Sequence, residues 1–233
     1  MRFATVTSYK FQLVRYDSSG SGVGMSQNRV RDTIGEEFRF NWFRQNSTFL
    51  VEYRFEAMEY DNNASGDSTT HFALVGIDEA FSPQLKATVR GGATFRSYTN
   101  GGGQTDPHFE ASLGYTGAHH ASVAWTSSYG IEAPSSGNAL SRTTFRTGLR
   151  LKYGITERIS ATLDGFYHHD DNRGGTSAGT FSEDAFDLSL GVHYVINRRF
   201  TFDLGAQRSE VSSGGASRNY SRNRYFAGLT FNF

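Results

Sequence analysis

Four consecutive residues, His168-His169-Asp170-Asp171, carry the densest chemistry in the chain. Imidazole and carboxylate side chains bind transition metals, and a carboxylate beside a histidine also serves some proteases. The stretch stands at the end of a segment of alternating polar and apolar residues. Consecutive residues of a strand point to opposite faces, so His168 and His169 do not converge on one ion. The expectation is a solvated loop entrance with no metal. His119-His120 follows a short turn and reads the same way. A lipid hydrolase would need a Ser–His pair, yet no spacing brings Ser127 or Ser128 to any of the seven histidines. Thr99-Asn-Gly-Gly-Gly-Gln is glycine-rich but no helix follows it, so it is not a phosphate loop. The chain therefore shows no catalytic constellation, metal set or cofactor site. The expectation is that it is not an enzyme.

The second chemistry is electrostatic. Along most segments one phase of the alternation is charged. Its basic members are Lys10, Arg31, Arg39, Arg54, Lys86, Arg90, Arg96, Arg146, Arg150, Lys152, Arg158 and Arg224. Its acidic members are Glu37, Glu52, Glu56, Glu110, Asp164, Asp187 and Asp203, so cations outnumber anions twelve to seven. Gly35, Gly92, Gly114, Gly148, Gly191, Gly205 and Gly228 are interspersed. Charged ladders around a pore set ion selectivity, and a basic excess favours anions. The same groups could instead pair across the interior and fill it.

Strands must position these residues. Twelve alternating segments are predicted at 3–16, 29–43, 48–60, 70–81, 85–98, 108–116, 120–131, 141–153, 157–169, 181–195, 199–210 and 221–233. In 48–60, Phe49, Val51, Tyr53, Phe55 and Ala57 oppose Glu52, Arg54 and Glu56. In 181–195, Phe186, Leu188, Leu190, Val192 and Tyr194 oppose Asp187, Ser189, Gly191 and His193. Period-two alternation places one set in an apolar medium and the other in a polar one. Two segments read poorly. Asp32 and Glu36 share the phase of Ile34 and Phe38, and adjacent Asp78 and Glu79 put a carboxylate outward in either phase. A bulge, a position near the rim or a different register would account for them.

Long Gly/Ser/Asn/Asp-rich connections alternate with short turns, the layout of a transmembrane barrel with external loops and periplasmic turns. An even strand count leaves both termini at the periplasmic side. Aromatics fall in two groups. Phe3, Trp42, Phe49, Phe81, Tyr115, Tyr153, Tyr194, Phe200 and Phe233 lie toward one end of the segments, and Tyr16, Tyr60, Tyr98, Tyr129, Tyr167 and Tyr225 toward the other. Two belts of amphipathic rings suit two membrane interfaces.

Composition agrees. The chain has 233 residues, 15% aromatic content, three Pro and no Cys. Mean hydropathy is −0.50. A barrel that is apolar outside and polar inside averages to a hydrophilic sequence, and the aromatic content opposes disorder. The formal net charge is zero, which offers no electrostatic footing for nucleic acid. Met1-Arg2 leads directly into Phe3-Ala-Thr-Val without a signal segment. An outer-membrane protein must be exported, so the expectation is a mature or trimmed form of a longer precursor.

The last ten residues, Arg224-Tyr-Phe-Ala-Gly-Leu-Thr-Phe-Asn-Phe233, put Tyr225, Ala227, Leu229, Phe231 and Phe233 on one face, with Phe226 as the exception. This resembles the closing strand of bacterial outer-membrane β-barrels. The resemblance implies that Tyr225, Leu229, Phe231 and Phe233 form a signal read by the barrel-assembly machinery. Asn223-Arg-Tyr-Phe-Ala-Gly-Leu with the terminal Phe is also similar to β-barrel porins encoded beside exopolysaccharide genes. The expectation is an all-β, closed, antiparallel up-and-down transmembrane barrel over residues 1–233, with 12 strands and 10 or 14 as alternatives. It would sit in outer-membrane lipid as a narrow, weakly anion-favouring diffusion channel. The expected pore lining is Lys10, Arg39, Glu52, Arg54, Glu56, Lys86, Arg90, Arg96, Glu110, Arg146, Arg150, Lys152, Asp164, Asp187, Asp203 and Arg224. The competing reading is a non-conducting structural barrel or a subunit of an envelope or secretion assembly.

Overall fold

Alternation at period two recurs along the chain, and strands follow it. A computed structural model describes residues 2–15, 28–41, 46–61, 66–118, 120–132, 139–174, 180–214 and 219–231. They form β1 (Arg2–Val14), β2 (Arg29–Asn41), β3 (Ser47–Tyr60), β4 (Ser68–Ala80), β5 (Leu85–Tyr98) and β6 (Gly103–Thr116). The second half adds β7 (Ser122–Glu132), β8 (Ala139–Gly154), β9 (Ile159–Gly174), β10 (Phe181–Val195), β11 (Phe200–Ser213) and β12 (Tyr220–Phe231). Each strand pairs antiparallel with the next, giving one 12-stranded up-and-down sheet in chain order. There is no α-helix among the described residues. β1 and β12 are the two ends of the sheet, are largely exposed on both faces, and share no pairing among the described residues.

The sheet is inside out relative to a water-soluble protein. Most of its exposed large apolar residues share one phase of each strand, among them Ile34, Val51, Tyr53, Val75, Leu149, Leu188, Leu190 and Leu204. Its most deeply buried positions are largely polar, among them Thr94, Thr70, Arg96, Asn172 and Asp170. Burial falls on the charged face because the sheet curls toward it. Arg54 of β3 reaches Glu110 of β6 at 3.3 Å, and Arg90 of β5 reaches Glu37 of β2 at 3.1 Å. Strands three apart are separated by roughly 14 Å along a flat sheet. Their side chains meet only across a concave surface, so the charged phase is the interior.

The two poorly reading segments keep a regular register. β2 pairs with β1 and β3 without a bulge, and Asp32 and Glu36 do face outward. Each accepts a bond from β1: Tyr9 Oη donates to Asp32 at 2.5 Å and Thr7 Oγ1 to Glu36 at 2.6 Å. In β4, Asp78 takes the inner face and Glu79 the outer, where Ser47 Oγ bonds it. A cross-strand hydroxyl thus accompanies each of these outward carboxylates. The inward Phe226 is explained by its partner. It stands opposite Gly205, and a Cβ there would lie within its ring. Phe166 covers Gly148 in the same way. Glycine leaves the sheet surface bare, and an aromatic ring opposite it restores the packing.

Three expectations change. β6 begins at Gly103 and β9 runs to Gly174, so residues taken for loops are strand. The 99–102 connection becomes a tight turn with Gly101 and Gly102 at φ 91° and 88°. Neither Tyr98, which stands opposite the buried Ser68 on the inner face, nor Tyr60 is an outer belt residue. Tyr60 faces inward and is buried beside Arg29, whose guanidinium lies 5.9 Å from the ring centroid. Arg158 lies in the 155–158 turn rather than on the interior face. At the short-turn end, Phe3, Phe40 and Phe49 form an outer row with centroids 5.3 and 6.5 Å apart. Phe200 pairs with Phe231 at 5.0 Å. Tyr16, Trp42, His119 and Phe233 lie outside the described residues.

Candidate pore lining

All sixteen residues expected to line the interior fall on the concave face, because the register is continuous over them; its one shift, at Ala139/Ser141 of β8, lies before Arg146. They are not equivalent there. From β2 to β7 the charges form a connected network. Glu52 accepts from Arg54 Nε at 2.6 Å and from Arg90 Nη1 at 3.0 Å. Glu37 meets Arg90 and Arg39. Glu56 lies between Arg31 at 3.7 Å and Arg96 at 3.6 Å. Arg96 is almost fully buried, and it donates to Thr70 Oγ1 and to the Glu132 carbonyl, both at 3.0 Å. Glu110 accepts from Arg54 and faces His108 Nε2 at 2.9 Å. Phe72, inward on β4, lies 5.4 Å from the Arg54 guanidinium. Charge-assisted bonds in a partly dry interior are strong, and a carboxylate held by two guanidiniums has little capacity left for a passing cation.

Beside this network lies a cavity of about 310 Å³, lined by Arg31, Arg54, Arg96, Glu110, Glu132 and Arg146 among others. Beyond it the interior is sparser. Arg150 pairs with Asp164, Asp187 accepts from Ser209, and Asp203 faces His193 Nδ1 at 2.6 Å. Gly191 and Gly205 face each other, and Gly228 stands opposite Asp203. Lys10, Lys86, Lys152 and Arg224 are exposed on this face and have no ion pair among the described residues.

Sequence reasoning missed Glu132, Arg142 and Glu183 as interior charges. Composition places Glu132 in a loop, whereas Arg142 lies at the head of the predicted segment 141–153 but is not among the charges assigned to the interior. Arg142 bridges Glu132 and Asp170, each at 2.9 Å, and Arg146 meets Glu132 at 2.7 Å. The extension of β9 also overturns the loop-entrance reading of His168–Asp171. Asp170 is 1% exposed and faces inward with His168. His169 faces outward, toward Asp184 at 2.8 Å. No spacing rule within one strand could show that Glu183 of β10 stands directly opposite Asp170.

The comparisons with known proteins bear on this inward charge and outward apolarity together. The profile of the family described as "Putative beta-barrel porin 2" matches residues 5–233. The chain belongs to this family. It is an outer-membrane β-barrel channel in the broad sense that membership carries. Among solved structures, a chain titled copper transporter OprC aligns at 12% identity and a TM-score of 0.53, over 99% of this chain and 48% of that one. That likeness concerns the fold alone. The NanC porin aligns at 16% identity and a TM-score of 0.38, over 98% of this chain and 99% of that one. The β domain of the Bordetella autotransporter BrkA aligns at 13% identity and 0.31, over 99% and 98% of the two chains. No curated protein matches the chain.

Proposed function

We propose that this porin is a narrow, weakly anion-favouring diffusion channel, inserted with both termini periplasmic through the barrel-assembly machinery. One observation carries the selectivity. The interior carboxylates Glu37, Glu52, Glu56, Glu110, Glu132 and Asp164 each face at least one guanidinium, whereas Lys10, Lys86, Lys152 and Arg224 stand exposed without such partners. Asp106, Asp187 and Asp203 have no guanidinium partner among the described residues, so the preference that the four unpaired cations impart is a weak one. Narrowness follows from the network on β2–β7, which occupies the interior on that side. Twelve strands lie between barrels filled by side chains, at about 8, and those holding a wide aqueous channel, at 16–18.

The same network supports the competing reading, a non-conducting structural barrel or a subunit of a larger envelope assembly. Planar bilayer recording separates the two. The channel reading expects discrete, reproducible conductance steps from the purified protein. A folded, inserted protein that never conducts would leave the interior network as a plug and move the function to a structural role.

A further inference from the structure

We infer that the interior face carries a divalent-cation site near the long-connection end of β8–β10, built by His168, Asp170 and Glu183. Each offers one ligand atom, and these atoms lie within 4.8 Å of one another. The register places the three side chains on one face of adjacent strands. Asp170 stands opposite Glu183 on β10 and opposite Thr144 on β8. His168 lies two residues before Asp170 on β9 and therefore shares its face.

Three side chains on this stretch of the interior face, Asp170, Thr144 and Asn172, each carry a buried polar atom without a hydrogen bond. Asp170 gives one oxygen to Arg142 Nη1 at 2.9 Å, while its other oxygen, Oδ1, is buried without a hydrogen bond. Thr144 is 2% exposed, and its Oγ1 has no partner. Asn172, two residues beyond Asp170 on the same face, is 1% exposed with neither amide atom bonded. Burying such atoms unpaired costs roughly 1–3 kcal/mol each. Of these, Asp170 Oδ1 and Thr144 Oγ1, directly across the ladder from it, are the oxygens that a cation held by His168 and Glu183 would satisfy. Arg142 does not preclude this, because it divides itself between Asp170 and Glu132 and occupies only one Asp170 oxygen. One imidazole with two carboxylates favours a borderline metal such as Zn²⁺ over Ca²⁺, which prefers six to eight oxygens.

The test uses untagged chain, refolded in detergent, stripped with chelator and titrated with Zn²⁺ and with Ca²⁺ by calorimetry. The expected result is one saturable Zn²⁺ per chain, bound at least tenfold tighter than Ca²⁺. His168→Ala and Glu183→Gln should each weaken Zn²⁺ binding at least tenfold. Asp170→Asn also loosens Arg142, so Glu183→Gln keeps the test valid if the former misfolds. His169→Ala removes the neighbouring imidazole from the outer face and should leave the affinity unchanged. The folded state of each variant is checked by its heat-dependent electrophoretic shift. Absence of saturable Zn²⁺ binding, tighter binding of Ca²⁺, unchanged affinity in His168→Ala and Glu183→Gln, or loss in His169→Ala would each overturn the site.

Discussion

At the residue scale the interior is governed by shared partners. Glu52 holds two guanidiniums at once, from Arg54 and Arg90. Arg54 keeps Glu110 and Arg90 keeps Glu37 if Glu52 is neutralised, so the network should loosen rather than collapse. Glu52→Gln is expected to lower stability by about 1.5–3 kcal/mol, the scale of a hydrogen bond to a charged group. It should also make the pore more anion-selective, because both arginines become less compensated. Urea titration and reversal potentials on the same variant check the two effects; unchanged selectivity with reduced stability would place Glu52 away from the ion path. The inward direction of these residues was legible from phase alone. Their pairing was not, because Arg90 meets Glu37 only after three intervening strand pairings curl the sheet. The His168–Asp170–Glu183 cluster was hidden for the same reason, since Glu183 comes from a different strand.

At the element scale, strand number, order and facing were legible wherever alternation was clean. β3, β5 and β10 occupy nearly the segments that periodicity predicts. The ends were not legible. Gly-, Asn- and Asp-rich stretches read as loops, yet β6 and β9 carry pairing through Asp106-Pro107 and Asp170–Arg173. Composition reports propensity, while a long neighbouring strand supplies hydrogen-bond partners that override it. Asp32 and Glu36 show a second limit: an outward carboxylate is acceptable where a Tyr9 or Thr7 hydroxyl stands across the ladder. The outer face itself is tested at Leu188, which is 40% exposed in the middle of β10 with Leu190 beside it. Leu188→Arg should cost roughly 2–4 kcal/mol, as for a cation placed at the bilayer midplane. Equal folding of the variant and wild type into bilayers, followed by denaturant titration, would show that this face is not in contact with lipid.

At the scale of the whole molecule, the sheet has two ends, β1 and β12, and hydrocarbon does not tolerate open edges. In the membrane we expect both strands to be paired across the seam. Hydrogen exchange in bilayers should then protect the amides of β1 and β12 as well as those of β5; fast exchange confined to the two end strands would mean that the barrel is not closed by them. The central claim is the balance of charge along the path an ion takes. Largely paired carboxylates and exposed Lys10, Lys86, Lys152 and Arg224 should give the pore a weak preference for anions, fading as salt shortens the screening length to about 8 Å near physiological ionic strength. Lys86 and Lys152 stand near the short-turn end without ion pairs among the described residues, so their replacement disturbs no bridge of the network. The most direct measurement is the reversal potential of single channels in a potassium chloride gradient, for wild type and for the Lys86→Glu, Lys152→Glu double variant. The account predicts a potential of the sign set by chloride in the wild type, shifted toward potassium in the variant. A wild-type pore that prefers potassium, or a double variant with unchanged selectivity, would contradict it.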